Sequence, residues 1–435
     1  MKILIVSCFF PPQNAIASQR PYSWAKHWAR AGHDVTVLTP TKDLSKADLT
    51  PLPFNGFRVL EVPPLGLFGW LRTRLRGFIA EKQTSADSTS KSAPPARQPG
   101  LLKRILRYLR AKGLFSGTRM PDAFDLWIPP AVQALPKEKF DFIISTYGPY
   151  ASHIVGWYAK RRSPNAIWIC DFRDLWTRNH VYPGIWPFTF VEWFLEGLLL
   201  RRCDLAVTVS EPLAAQLRHD HPKLRVEVIA NGVDLEDLQS LSTERFFPDD
   251  DKIRIVYTGA LHASHRNPEP LFEAVALLNP EQRERLEIIF VGPNTEIIQD
   301  GVQRLGLQSH VRGLKSIPRT QALKMQRDAD VLLFLEQSHE KAKDGVLTGK
   351  LFEYIASGTR VWAVGVGPES AVGALLKESK SGHAFGKDVD AIRLALLSRL
   401  NEPRKTVGQQ RSEDFIKNFD RKELANRLMD LVRSV

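Results

Sequence analysis

Short contiguous apolar runs, each followed by a stretch with helical spacing, recur from one end of this sequence to the other. The first is KILIVSCFF; after a loop, PPQNAIASQRP, come a helical YSWAKHWARAG and a second run, HDVTVLTP. Gly32 supplies the C-cap between that helix and the second run, so the opening reads as a βαβ unit of a parallel sheet. The rhythm returns in FDFIIST, SHIVGWYAKRR, AIWICDF, a helix around Phe190 to Arg202, DLAVTVS, EPLAAQLRHD and RVEVIANG. A polar run, LSTERFFPDDDK, then breaks it. Beyond lies a second set: IRIVYTG, PEPLFEAVALL, LEIIFVG, VRGL, ADVLLFL, GKLFEYIAS and TRVWAVG.

A chain of 435 residues exceeds what one ordinary core covers, and the polar run marks the division. The expected domains are an N-terminal α/β unit over 1–240, a second over 241–405, and C-terminal helices over 406–435. Two such domains open a cleft at the C-terminal ends of their strands, where ligands of parallel sheets bind. Residues 66–117 interrupt the first domain. There LFGWLRTRLRGFIAEK and LLKRILRYLRAKGLF are basic amphipathic stretches around SADSTSKSAPPARQPG, whose composition predicts a flexible loop over 84–99. Arg and Lys opposite Leu, Ile, Phe and Trp suit an interfacial helix on an anionic membrane; packing on the N-terminal sheet is the alternative.

The formal charge of +12 attracts polyanions, yet the basic and aromatic residues form no recognisable RNA or DNA module, so no nucleic-acid partner is expected. Cys8, Cys170 and Cys203 lie too far apart for a CxxC site or a disulfide scaffold, which points to a reducing cytoplasm. The chain starts directly with a strand, and no signal peptide is expected. The apolar stretch from Ile185 to Leu200 is interrupted by Glu192 and Glu196 and falls short of the roughly 20 residues that cross a bilayer. The expected place is the cytoplasm, with peripheral contact at the inner face of the membrane.

The strongest chemical signal is GVLTGKLFEYIASGTRVWAV, residues 345–364. Thr348 and Gly349 precede a helix opening at about Lys350. Its first N–H groups and positive end can hold a phosphate while Lys350 adds charge. Glu353 follows one turn in, where a carboxylate can accept from a ribose diol. The competing reading is a plain amphipathic helix with Leu351, Tyr354 and Ile355 in the core and Gly358 as its C-cap.

Together with ADVLLFL, the run KLFEYIASG resembles the donor-binding region of the family-four glycosyltransferases, in a bacterial branch associated with surface polysaccharides. FFPP (9–12), PDAFDLW (121–127), YGPYASH (147–153), DFRDLW (171–176), VTVSEPL (207–213) and NGVD (231–234) match in order, so the resemblance covers nearly the whole chain outside 66–117. It implies an α/β chain of GT-B architecture: two Rossmann-like parallel-sheet domains facing a cleft, with the C-terminal helix returning to the N-terminal domain. It also implies a retaining, metal-independent transfer of sugar from a nucleotide-diphosphate donor to a lipid-linked or polysaccharide acceptor.

Carried over residue by residue, the resemblance puts Glu353 on the donor ribose, with Thr348, Gly349 and Lys350 on its phosphates. Gly259 opens a loop facing those phosphates, and Arg266 is that loop's cation. Gln13, Asn14 and Arg20 are acceptor-side candidates, Asn14 and Ala15 standing where the family carries a glycine pair. The catalytic candidates are His153, expected to project toward the cleft, with Arg173 and Asp174. Arg173 can pair with Asp174 or meet a phosphate. Gly345 stands where the family often has the first of two glutamates.

Several patterns carry no chemistry. Asp328 and Asp330 form a DxD that introduces a strand and reads as structural, and Asp249, Asp250 and Asp251 read as solvated charge. His262 with His265, and His219 with His221, lack further ligands, so neither metal nor cofactor is expected. Gly365 and Gly367 are followed by Ser370, which leaves a dinucleotide fingerprint incomplete. The expected reaction is displacement at the anomeric carbon, with the departing diphosphate stabilised by Arg266, Lys350 and the helix N-terminus. The alternatives are a sugar-nucleotide 2-epimerase of the same architecture and a non-catalytic relative that binds membrane or partner proteins.

Overall fold

The computed structural model describes residues 1–13, 16–42, 56–66, 108–109, 112–114, 117–179, 182–261, 266–336, 347–402 and 413–434. Asn14, Gly345, His262, His265, the loop expected over 84–99, the first basic stretch and most of the second lie outside them.

The first sheet comprises β1 (Lys2–Val6), β2 (Asp34–Pro40), β3 (Arg58–Val62), β4 (Phe142–Thr146), β5 (Ile167–Phe172), β6 (Leu205–Thr208) and β7 (Val226–Val228). Its spatial order is β3-β2-β1-β4-β5-β6-β7, parallel throughout. The second comprises β8 (Ile253–Thr258), β9 (Leu286–Val291), β10 (Val311–Leu314), β11 (Val331–Leu335), β12 (Arg360–Val364) and β13 (Gly382–Ala384). Its order is β10-β9-β8-β11-β12-β13, again parallel. This is the two-sheet GT-B architecture.

The apolar runs are contiguous because helices cover both faces of each sheet. Ile3, Leu4, Ile5 and Val6 are sealed from solvent, as are Val331 to Leu335. Strand order reverses between β1 and β4 and between β8 and β11, so two crevices open past the C-terminal ends of those strands.

The first helix, Ile16–Arg30, begins inside the segment that the sequence reads as a loop and contains Pro21. Proline cannot supply its N–H to the ladder, but burial of Arg20, Tyr22, Trp24, Ala25 and Trp28 overrides that loss. Arg20 ties this helix to the sheet. Its Nη2 and Nε reach the Asp171 carboxylate at 2.9–3.3 Å, and its Nη1 donates to the Ala230 carbonyl at 2.6 Å. Both partners are buried, at 4% and 0% exposure, and the guanidinium also lies 4.8 Å over the Trp24 ring.

The C-terminal helix, Arg421–Arg433, returns to the N-terminal domain. Trp28 Nε1 donates to the Ala425 carbonyl at 3.1 Å, and Leu424, Leu428 and Val432 join the cluster around Trp24 and Trp28. At the start of this helix the Val233 N–H donates to the Phe419 carbonyl and the Val233 carbonyl accepts from the Arg421 N–H, both at 2.9 Å.

The acidic run at the junction is only partly solvated. Asp250 holds the buried Arg254, which Glu287 also engages. Asp328 accepts from the Phe246 N–H and Asp330 from the Arg254 N–H, so both are occupied structurally. Among the described residues no helix is long and apolar enough to cross a membrane.

Asp171→Asn would leave Arg20 charged, buried and uncompensated, with an expected loss of about 3–5 kcal/mol in urea unfolding. A loss below about 1 kcal/mol would mean that water reaches the guanidinium.

Candidate functional site

The second domain builds its site from missing side chains. Gly259, just past β8, has φ +130°, and a Cβ there would lie 2.5 Å from Lys350 Nζ. Gly292, past β9, has φ +145°, and its Cβ would meet the Gly259 carbonyl oxygen at 2.3 Å. The two loops therefore touch backbone to backbone and leave a seat for the lysine.

Lys350 Nζ lies 4.2 Å from the centroid of the Tyr257 ring and donates to its hydroxyl at 3.1 Å. Arg266 donates to the neighbouring Ala260 carbonyl at 2.9 Å. Burial, and then the Arg266 charge, pull Lys350 down to about 7, while Glu336 and Glu353 pull the other way. Burial also pushes the Tyr257 phenol up to about 12. Neither cation has an ion-pair partner among the described residues.

Lys350 stands in the first turn of the helix Gly349–Ala356. Thr348 precedes it in extended conformation and makes no side-chain cap, so no capping side chain claims the helix's first N–H groups. The competing sequence reading also holds in part: Leu351, Tyr354 and Ile355 are core residues, and Gly358 has φ +74°. Tyr354 further accepts from the Thr258 N–H at 2.8 Å, fixing the helix to the end of β8.

Glu353 is 5% exposed. Its Oε1 accepts from Arg319 Nη1 at 2.7 Å, and Oε2 makes no hydrogen bond among the described residues. Arg319 reaches on to Asp237 at 3.2 and 3.3 Å. Arg319 has no motif around it and was not marked by the sequence. The structure thus gathers Gly259, Arg266, Thr348, Gly349, Lys350 and Glu353 in one place.

The first domain places its candidates differently. Gln13 is exposed in the loop after β1, its N–H donating to the Phe10 carbonyl at 3.3 Å, whereas Arg20 is turned inward and consumed by Asp171 and Ala230.

His153 does not project into open space: it is 1% exposed, packed on Phe172 and Tyr147. Its Nδ1 lies 2.8 Å from Ser145 Oγ, which also accepts from Trp168 Nε1 at 3.0 Å. Ser145 thus bridges the imidazole and the indole, with one hydroxyl proton and two lone pairs to share between them. Burial holds His153 down to about 3, so the ring is neutral, and Nε2 has no partner among the described residues.

Arg173 does not pair with Asp174. Its Nε and Nη2 donate to the Tyr147 carbonyl at 3.1 and 2.7 Å, and Nη2 also to the Gly148 carbonyl at 3.0 Å. Asp174 is half-buried and makes no hydrogen bond or ion pair among the described residues. In PDAFDLW, Asp122 caps the following turn by accepting from the Gly117 and Phe124 N–H groups, and Asp125 accepts from the Tyr150 hydroxyl. Among the described residues no three His, Cys, Asp or Glu side chains cluster as a metal site.

Residues 17–232 match the glycosyl transferase 4-like domain. No curated protein sequence matches the chain. Sucrose-phosphate synthase from Thermosynechococcus elongatus superposes with a TM-score of 0.64 at 16% identity, over 100% of this chain and 98% of that one. HepE from Anabaena, solved in complex with UDP, gives 0.59 at 14% identity over 100% of both chains. The lipopolysaccharide outer core galactosyltransferase WaaB, in its apo form, gives 0.55 at 11% identity over 99% of both. At these identities the likeness establishes the fold.

Because the folded value of Lys350 is about 7 against an ordinary 10.5, its charge opposes folding fully below pH 7, and that penalty fades as pH climbs toward 10.5. Lys350→Met should accordingly raise the melting temperature of the ligand-free protein at pH 6–7, with a gain that shrinks by pH 10. An equal gain at every pH would locate the effect in packing instead of charge.

Proposed function

From a chain whose residues 17–232 are a glycosyl transferase 4-like domain, and which on that ground is a glycosyltransferase, we propose a retaining, metal-independent enzyme. It moves a sugar from a nucleotide-diphosphate donor to a lipid-linked or polysaccharide acceptor in bacterial cell-surface glycan synthesis. The observation that carries this reading is the pair of cations, Lys350 and Arg266, beside a helix N-terminus that Thr348 does not cap, with no ion-pair partner among the described residues and with Glu353 one turn along. That HepE was solved with UDP makes uracil the first base to test, and the lipopolysaccharide outer core in WaaB's name supports a surface-glycan acceptor.

In this scheme Lys350, Arg266 and the first N–H groups of the helix Gly349–Ala356 hold the diphosphate, and Glu353 Oε2 accepts from a ribose hydroxyl. The acceptor hydroxyl oxygen bonds to the anomeric carbon as the bond from that carbon to the phosphate oxygen breaks. The acceptor proton passes to the departing phosphate on the same face. Charge grows on the β-phosphate, where the two preplaced cations act without reorganisation. His153, neutral, sealed from solvent and a poor base, abstracts no proton and acts on the crevice only by packing and through its hydrogen bond with Ser145. Asp174 is the catalytic candidate left with a free carboxylate among the described residues, and Gln13 belongs to the acceptor side.

Thermal stabilisation against a panel of nucleoside diphosphates tests the donor site. One base should stabilise selectively, with and without EDTA. Glu353→Ala and Lys350→Met should each weaken binding by about 1.5–3 kcal/mol, roughly ten- to a hundredfold. Titration calorimetry at pH 8 in buffers of different ionisation enthalpy should show proton uptake, because a bound diphosphate raises Lys350 above its resting value of about 7; Lys350→Arg should abolish that uptake. Epimerised sugar nucleotide formed without acceptor would support the 2-epimerase reading, and no response to any nucleotide would support the non-catalytic one.

A further inference from the structure

The helix Phe188–Leu200 has the polarity of a surface helix reversed. Its acids point inward. Glu192 is fully buried, 3.2 Å from the buried Arg119, and accepts from the Met120 N–H at 2.8 Å and from Trp176 Nε1 at 3.2 Å. Glu196 accepts from the Thr177 N–H and hydroxyl at 3.0 and 2.9 Å and lies 3.2 Å from His221 Nε2. Its aromatics point outward: Phe190 is 63% exposed, Trp193 63% and Phe194 58%, with Trp186 just before the helix at 81%. Positions 190, 193 and 194 share one face by helical spacing, continued by the exposed Leu198. A contiguous face of large aromatics is not left to water without a use.

The chemistry of that face selects its occupant. With both glutamates held inside, the helix presents no acid to the outside. Beyond its C-terminal end, Arg201 and Arg202 are exposed and have no ion-pair partner among the described residues. Apart from the Trp indole N–H groups the face offers almost no side-chain hydrogen-bonding capacity, whereas protein interfaces carry about one hydrogen bond per 100–200 Å². Trp and Phe flanked by Arg match the boundary between headgroups and acyl chains of an anionic bilayer.

We infer that the Trp186, Phe190, Trp193 and Phe194 face is a monotopic membrane anchor that seats the N-terminal domain on an anionic bilayer, with Arg201 and Arg202 on the phosphate headgroups. The inference stands on this face alone and does not depend on the donor site.

Full-length protein is sedimented with vesicles of phosphatidylcholine and phosphatidylglycerol in equal parts, and with phosphatidylcholine alone. Wild type should bind the mixed vesicles, and more weakly the neutral ones. Trp193→Ser/Phe194→Ser should reduce binding at least about tenfold, with an unchanged melting temperature and an unchanged response to nucleoside diphosphates. Arg201→Gln/Arg202→Gln should remove most of the preference for phosphatidylglycerol. Trp186→Ser, outside the helix, gives the same reading should the double variant fold poorly. The proposal is overturned if wild type ignores both vesicles, if the aromatic variants bind as wild type does, or if light scattering shows a dimer that Trp193→Ser/Phe194→Ser converts to monomer. The nucleotide response, read in the same samples, tests the donor site separately.

Discussion

Both sheets are parallel and covered on both faces, and that constraint decides where chemistry can be. A strand such as Val331–Leu335, sealed along its whole length, has no room for an unpartnered polar side chain. Charged and polar groups inside the sheets are held in sets: Asp171 with Arg20, Ser145 with His153 and Trp168, Arg254 with Asp250 and Glu287. Everything meant to meet a ligand is displaced past the strand ends. There glycines such as Gly259 and Gly292 allow loops to approach closely enough to frame a charge.

The charge so framed has no ion-pair partner among the described residues. Lys350 and Arg266 lie near one phenol, an arrangement that burial and mutual repulsion both oppose. The cost is held by the fold, through the Tyr354 hydroxyl on Thr258 and the apolar face of the helix Gly349–Ala356. One turn along, Glu353 is linked through Arg319 to Asp237, and Asn231 Nδ2 donates to the Leu347 carbonyl at 2.8 Å, immediately before Thr348. The junction between the domains thus touches the helix at its mouth and at its carboxylate.

The legible parts of the sequence are those whose signal is local. Contiguous apolar runs mark the central strands, and the turn-helix chemistry of TGKLFE marks the residues around Lys350. The half-exposed edge strand β3 carries no such run, and the helix that starts at Ile16 is hidden by Pro21, because its stability comes from burial of Trp24 and Trp28. Arg319 reaches Glu353 only through the fold. In the first domain the polar residues that looked available, Arg20, His153 and Arg173, have private partners. No pattern in the chain announces Asp171, Ser145 or the Tyr147 carbonyl as those partners. Glu192 and Glu196 show the same limit: they interrupt an apolar run in the sequence, yet the fold turns them inward and leaves the aromatics outside.

The two domains consequently differ in electrostatic character. The second leaves positive charge open, which suits a ligand that brings its own negative charge. The first pairs Arg20 and Arg173 internally and leaves the buried Nε2 of the neutral His153 and the carboxylate of Asp174 without partners among the described residues. Under the proposed reaction that division is the useful one. A diphosphate needs field, whereas an acceptor hydroxyl is uncharged and needs orientation, which neighbours fixed by burial supply better than mobile charges do.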